Sequence, residues 1–242
     1  MVLADEEIRQ ILVVVAHPDD VDFSASGTVA LFTDRGVPVS YCLVTDGDAG
    51  GFDPTVPRSA IGGIRRREQT EAAAEVGVTD LHWLGHPDGM VEASLRLRRD
   101  IARVIRKVRP DLVITQSPER TYTNVYGGHP DHRAAGGACL DAVYPDARNP
   151  FTFPELVKEG LDAWTVREVW IVAGPNPDAE HAVDVTDVYH RKLAGLKRHA
   201  SQFANGTGHL DELLTTWLST VATGAGLPAG RLAEGFTVLP AL

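Results

Sequence analysis

Cysteine is nearly missing from this chain: Cys42 and Cys139 are the only two among 242 residues. One falls in an apparent strand and the other in an apparent helix, which reads as two buried free thiols and suits a reducing, cytoplasmic setting. A chain of this length can bury a core without a cross-link. Positive charge is also short, with 23 Lys and Arg against 33 Asp and Glu and a formal net charge of −10. That balance argues against a nucleic-acid partner or an anionic membrane surface. Asp5, Glu6 and Glu7 stand where an export signal would be basic, and no apolar run approaches about 18 residues, so no export or membrane segment is expected. No composition break or linker divides the chain, so residues 1–242 read as one domain.

What is present is a series of short apolar runs separated by helical patterns. Ile11 to Ala16 is unbroken and rich in β-branched residues, as in a strand buried on both faces of a parallel sheet. A helix over Ala25 to Phe32, a Gly36-Val37-Pro38 turn and a strand over Val39 to Val44 complete a βαβ unit, with Gly27 allowing close packing. Thr45 to Gly63 is dense in Gly, Pro and Asp and reads as an active-site loop. Helices are expected over Arg65 to Val76 and Leu95 to Val108, and strands over Leu81 to Leu84 and Leu112 to Thr115. The cations of the second helix, Arg96, Arg98, Arg99, Arg103, Arg106 and Lys107, read as a solvated face. A polar loop from Gln116 to Pro130 then runs into a helix reaching about Tyr144. Beyond it the pattern weakens. Pro145 to Gly160 reads mostly as loop, Glu168 to Val172 and Ala182 to Val185 as strands, and Asp187 to Ser201 and Leu210 to Val221 as helices. No chemistry is assigned to the Gly-, Pro- and Ala-rich tail from Thr223. The alternation predicts a Rossmann-like α/β fold, a mostly parallel sheet flanked by helices with its site at the carboxyl edge.

Two constellations stand at strand ends. The first strand delivers His17, Asp19 and Asp20, and the strand before the second loop delivers Gly128-His129-Pro130-Asp131-His132. His129 and His132 are three apart, on one side of a helical turn, and Pro130 suits its first position. Taken singly, Asp19 or Asp20 could be a helix cap and His17 a loop histidine. Taken together, the two loops offer imidazoles and carboxylates for a Zn²⁺-like ion with a position left for water, the composition of a catalytic rather than a closed structural site.

In this order on an α/β chain, Ala16-His17-Pro18-Asp19-Asp20 and His129-Pro130-Asp131-His132 resemble the LmbE-like, or PIG-L, family of metal-dependent N-deacetylases. Weaker matches support it: Thr45-Asp46-Gly47, Arg65-x-x-Glu68 with Gly77, Arg109 to Val113, and His199-Ala200-Ser201-Gln202. The resemblance implies His17, Asp20 and His132 as metal ligands and Asp19 as the general base that takes a proton from metal-activated water. It makes His129, in protonated form, the stabiliser of the oxyanion or the proton donor to the leaving amine, with Asp131 orienting it. Arg65 and Asp88 match residues near substrate. Tyr126 lies three residues before His129 where some relatives carry a tyrosine two before, and Asp22 stands where many carry glutamate. His86-Pro87-Asp88-Gly89 looks like a third motif but has glycine in place of the fourth ligand, so His86 is not expected to bind metal. His82, His181, His190 and His209 have no partner pattern.

The implied reaction is hydrolysis of an N-acyl, chiefly N-acetyl, group from an amino sugar or sugar-bearing small molecule. Zn²⁺ is the first choice, with Fe²⁺, Mn²⁺ or Co²⁺ also suited to these donors. Other readings are a mononuclear metal phosphoesterase, for which the carboxylates of a two-metal clamp are too few, and a non-catalytic metal-containing sugar-binding protein. A Rossmann nucleotide site would need Gly-x-Gly-x-x-Gly where His-Pro-Asp-Asp-Val-Asp stands. Oligomeric state is left open.

Overall fold

The computed structural model describes residues 3–120, 122 and 128–241. Its strands are β1 (Ile11–Val15), β2 (Val39–Thr45), β3 (Asp80–His86), β4 (Leu112–Thr115), β5 (Glu168–Val172), β6 (His181–Asp184) and β7 (Ala233–Pro240). They form one sheet in the order β3-β2-β1-β4-β5-β7-β6. β1 to β5 pair in parallel, and β7 runs antiparallel between β5 and β6. The Rossmann-like, mostly parallel expectation therefore holds: five of the seven strands are parallel, and they include those that carry the motifs.

The helices are α1 (Asp20–Ser24), α2 (Ser26–Asp34), α3 (Arg58–Glu75), α4 (Leu95–Val108), α5 (Pro130–Asp141), α6 (Pro154–Lys158), α7 (Tyr189–Lys197) and α8 (Leu210–Gly224). β1 shows why the sheet has a core on each face. Side chains alternate along a strand, so Ile11, Val13 and Val15 join Val29, Ala73, Leu196 and Leu214 on one side. Leu12, Val14 and Ala16 meet Leu97, Ile101, Ile105 and Ala138 on the other. The second face belongs to α4, whose Leu97, Ile101, Val104 and Ile105 are buried. Gly136 is required where α5 crosses the end of β4, because a Cβ there would lie 2.1 Å from the Gln116 carbonyl oxygen. Cys42 and Cys139 are free, buried thiols, and burial raises both above the ordinary range.

Several expectations are corrected. The tail after Thr223, where no element was expected, holds β7, which lies inside the sheet between β5 and β6. α3 begins at Arg58, inside the span read as loop, and Pro154–Lys158 is helical within the span read mostly as loop. The segment 187–201 is not one helix: α7 is flanked by 3₁₀ turns at Thr186–Val188 and Ala200–Gln202. Arg106 is not on a solvated face. It is buried and donates to the carbonyls of Asp146, Ala147, Asn149, Thr152 and Leu161, tying α4 to the chain after α5. Among the described residues no helix is long and apolar enough to cross a membrane.

Candidate metal centre

Neighbouring parallel strands bring the two motifs together. β1 pairs with β4 in register from Ile11 with Leu112, so the loops leaving their carboxyl ends emerge side by side. Gln116 fastens them, its Oε1 accepting from the Ala16 N–H at 2.9 Å. His17 Nδ1 lies 3.2 Å from His132 Nε2 and 3.5 Å from Asp20 Oδ2, while His132 Nε2 lies 3.0 Å from Asp20 Oδ1. A tetrahedral ion with bonds of about 2.0 to 2.1 Å spaces its donors roughly 3.3 to 3.4 Å apart. The three side chains lie near that spacing, the two Asp20 distances being to its two different carboxylate oxygens.

The far side of His17 is equally specified. Its Nε2 meets Asp88 Oδ1 at 3.0 Å and Asp131 Oδ2 at 3.2 Å. Asp131 is itself held by the Gly89 N–H at 2.7 Å and the Val91 N–H at 3.3 Å, and Asp88 by the Ala49 N–H at 3.0 Å. An Nε2–H shared with carboxylates leaves Nδ1 as the lone-pair donor, the arrangement that orients a ligating histidine and raises its basicity. Burial opposes charge on His17, but hydrogen bonds to Asp131, Asp20 and Asp88 outweigh it and push the imidazole up to about 12. Burial also opposes charge on Asp20, yet His132 and His17 hold its carboxyl well below the usual range. Two other donor groups are close enough to hold a cation, His17 with His129 and His132, and His17 with Asp88 and Asp131. The second would use Nε2, which the two carboxylates already occupy as a hydrogen-bond donor.

Asp19 stands beside this cluster without joining it. Its backbone is left-handed, φ 86° and ψ −27°, a conformation that costs a non-glycine residue of order 1–3 kcal/mol. The turn sends the carboxylates of Asp19 and Asp20 apart. Asp19 Oδ2 accepts from Arg65 Nη2 at 2.8 Å. Burial raises its carboxyl to about 6, with Arg65 pulling the other way and Asp20 adding to the rise. Asp19 is at the cap position of α1, but its side chain makes no capping hydrogen bond.

His129 caps α5, its Nδ1 accepting from the Asp131 N–H at 3.2 Å. That leaves the ring proton on Nε2. Burial, then His17 and His132, lower its pKa. Asp131 does not orient His129 through its carboxylate, which is engaged with His17. Arg65 is buried and donates to Asp19 and the Pro18 carbonyl, and Asp88 meets His17. Tyr126 lies outside the described residues. His86 pairs with Asp100 at 3.2 Å, away from the cluster.

This geometry agrees with the comparisons. The profile of PIG-L, GlcNAc-PI de-N-acetylase, matches residues 12–143, the span that contains both motifs. The chain belongs to the PIG-L family. Among PIG-L relatives, diacetylchitobiose deacetylase of Thermococcus kodakarensis is 33% identical over 238 residues, covering 98% of this chain and 85% of that protein. A probable N-acetyl-alpha-D-glucosaminyl L-malate deacetylase 2 of Bacillus cereus is 34% identical over 201 residues, 80% of this chain and 84% of its own. The structure of N,N'-diacetylchitobiose deacetylase from Pyrococcus horikoshii superposes with a TM-score of 0.88 at 28% identity, covering 98% of this chain and 85% of that one.

Sequence reasoning missed Asp22, Gln69, Lys192 and Glu234 as parts of the site's support. All four are buried polar side chains. Only Asp22 carried a signal, as the acid just past His-Pro-Asp-Asp.

Proposed function

We propose that this protein is a zinc-dependent deacetylase that hydrolyses the acetamide of an N-acetylglucosamine-bearing small molecule. The observation that carries the reading is the division of two adjacent carboxylates, Asp20 within 3.0 Å of His132 Nε2 and Asp19 turned to Arg65 instead. An acid next to the ion, but not bound to it, is what a general base for hydrolysis requires. Relatives in the family are named deacetylases of diacetylchitobiose, of an N-acetylglucosaminyl malate and of an acetamido-glucopyranosyl inositol. Their shared element is the N-acetylglucosamine unit, with a variable group attached.

His17 Nδ1, Asp20 and His132 Nε2 would hold the ion, and Zn²⁺ suits this donor set, as Fe²⁺, Mn²⁺ or Co²⁺ also would. Bound there, it supplies Lewis acidity to the acetamide carbonyl and acidifies a water. Asp19 takes the proton as the water oxygen adds to the carbonyl carbon. His129 then donates from Nε2 to the oxyanion, and as the C–N bond breaks the amine leaves with the proton held by Asp19. Acetate and a free amino sugar result. Asp88 and Asp131 keep His17 in one tautomer throughout.

Residues 1–242 are read as one deacetylase domain, supported by a single sheet with strands drawn from residue 11 through residue 240. The two buried free thiols support a cytoplasmic setting.

The test is acetate and free-amine release from diacetylchitobiose and a panel of N-acetylglucosamine conjugates by the zinc-loaded protein. Asp19→Asn should keep the ion and lower kcat by about 10²- to 10⁴-fold, the usual worth of a general base. Phosphate release from sugar phosphates without acetate release, or turnover untouched by Asp19→Asn, would contradict the reading.

A further inference from the structure

Asp19 needs something to hold its left-handed turn, and the structure supplies it from far along the chain. The Asp19 N–H donates to Gln69 Oε1 at 2.8 Å, and Gln69 Nε2 donates to Asp22 Oδ2 at 2.9 Å. The same Asp22 oxygen meets His199 Nε2 at 2.9 Å. Gln69, Asp22 and His199 are all wholly buried. Each orientation follows from the next: a carboxylate only accepts, so the amide nitrogen of Gln69 faces Asp22 and its oxygen is left for the Asp19 amide.

The far end is anchored too. Lys192 Nζ donates to the Asp22 carbonyl at 2.8 Å and the Phe23 carbonyl at 2.9 Å, and pairs with Glu234 at 2.7 Å. Glu234 accepts from the Gly27 and Thr28 N–H groups at the start of α2. Among the described residues Asp22 Oδ1 and His199 Nδ1 have no hydrogen-bond partner although both are buried. A buried polar chain left partly unsatisfied is a poor way to gain stability, and apolar residues would fill the space at lower cost. Its cost points to function.

We propose that Gln69, Asp22 and His199 are positioning residues that hold the Asp19 peptide left-handed, keeping its carboxylate beside Arg65 and off the ion. The inference rests on the reading of Asp19 as general base. Without the chain of bonds, Asp19 relaxes to an ordinary backbone conformation. Its carboxylate is then free to swing onto the cation and close the position water needs. The C-terminal third therefore reaches the reaction through His199, by way of one amide.

Gln69→Met and His199→Leu, each in the full chain, test this against His199→Gln, whose amide nitrogen can still donate to Asp22. Three readouts are taken: kcat and KM with ion content, the visible spectrum of the Co²⁺-substituted protein, and hydrogen exchange of the Asp19 amide in metal-free protein. The first two variants are expected to keep one ion and an unchanged KM while kcat falls about 10- to 100-fold, the usual effect of losing a supporting residue. Their Co²⁺ absorption should weaken as a carboxylate joins the ion, and the Asp19 amide of Gln69→Met should exchange faster. His199→Gln should recover most of kcat. Unchanged kcat and unchanged Asp19 exchange in folded Gln69→Met would overturn the proposal, as would kcat losses that only track lost ion. If His199→Leu does not fold, Gln69→Met and His199→Gln decide alone. A wild-type protein without deacetylase activity would sink the functional reading, while the spectrum and the exchange rates would still judge the positioning.

Discussion

After β1 the chain reads His17-Pro18-Asp19-Asp20, and after β3 it reads His86-Pro87-Asp88-Gly89, yet the two loops aim opposite side chains at the centre. The first sends in its histidine and turns its third residue aside to Arg65. The second turns its histidine out to Asp100 and sends in its third residue, Asp88, to meet His17 at 3.0 Å. Position in the sheet accounts for the difference. β1 lies between β2 and β4, while β3 is the edge strand with β2 and β1 separating it from β4. The loop at the edge reaches the cluster only through a carboxylate on the far nitrogen of His17. Gly89, at φ 82°, supplies its N–H to Asp131 where the first loop has a fourth side chain, Asp20. A tripeptide therefore does not define a role; its strand and its fourth residue do.

The largest expected effect breaks the first loop's set. His132→Ala should remove both the bound ion and all measurable turnover, read by metal analysis beside the free-amine assay. Retained stoichiometric ion would contradict the assigned ligands. Next comes the second loop's contribution. Asp88→Asn and Asp131→Asn should each weaken the ion about 10- to 100-fold without abolishing it, as removal of a partner to a ligating histidine usually does. Competition against a chelator measures this.

A smaller effect concerns Asp19. Its carboxyl is raised to about 6 by burial, against the opposing pull of Arg65. As the proposed base, Asp19 would work only unprotonated, so activity is expected above its pKa and should fall about tenfold per pH unit below it. A bound cation lowers that limb. Arg65→Gln removes a cation and should move the acid limb of kcat/KM to higher pH, and a shift the other way would contradict the pairing. Smallest of all, His86→Ala should leave ion content and kcat within about twofold, since substitutions away from such features usually change little. A large loss there would erase the contrast between the two loops.

Much of the site was readable because it is local. His17 to Asp20 and His129 to His132 are short, the first directly follows a β-branched run and the second opens a helix, and Leu95–Val108 and Leu112–Thr115 have the bounds their apolar patterns predict. The supporting shell was hidden because its partners are remote in sequence. Asp131 lies two residues from His129 but spends its carboxylate on His17, 114 residues away. His199 and Asp22 are 177 residues apart, and Lys192 and Glu234 are 42 apart. β7 was obscured by its own composition. Glu234 and Gly235 interrupt the apolar pattern because one caps α2 and the other lies where a Cβ would be 2.7 Å from the Ala179 Cβ. Arg106 misled for a related reason: a helix-surface charge becomes an interior one when carbonyls from a later turn close over it.

The most direct measurement is anomalous diffraction from zinc-loaded crystals, with scattering recorded at the zinc edge. One ion bonded to His17 Nδ1, Asp20 and His132 Nε2, with Asp19 on Arg65 and not on the metal, is the predicted result. Zinc bonded instead to His17 Nε2 between Asp88 and Asp131 would contradict the account, because it would turn the orienting carboxylates into the ligands.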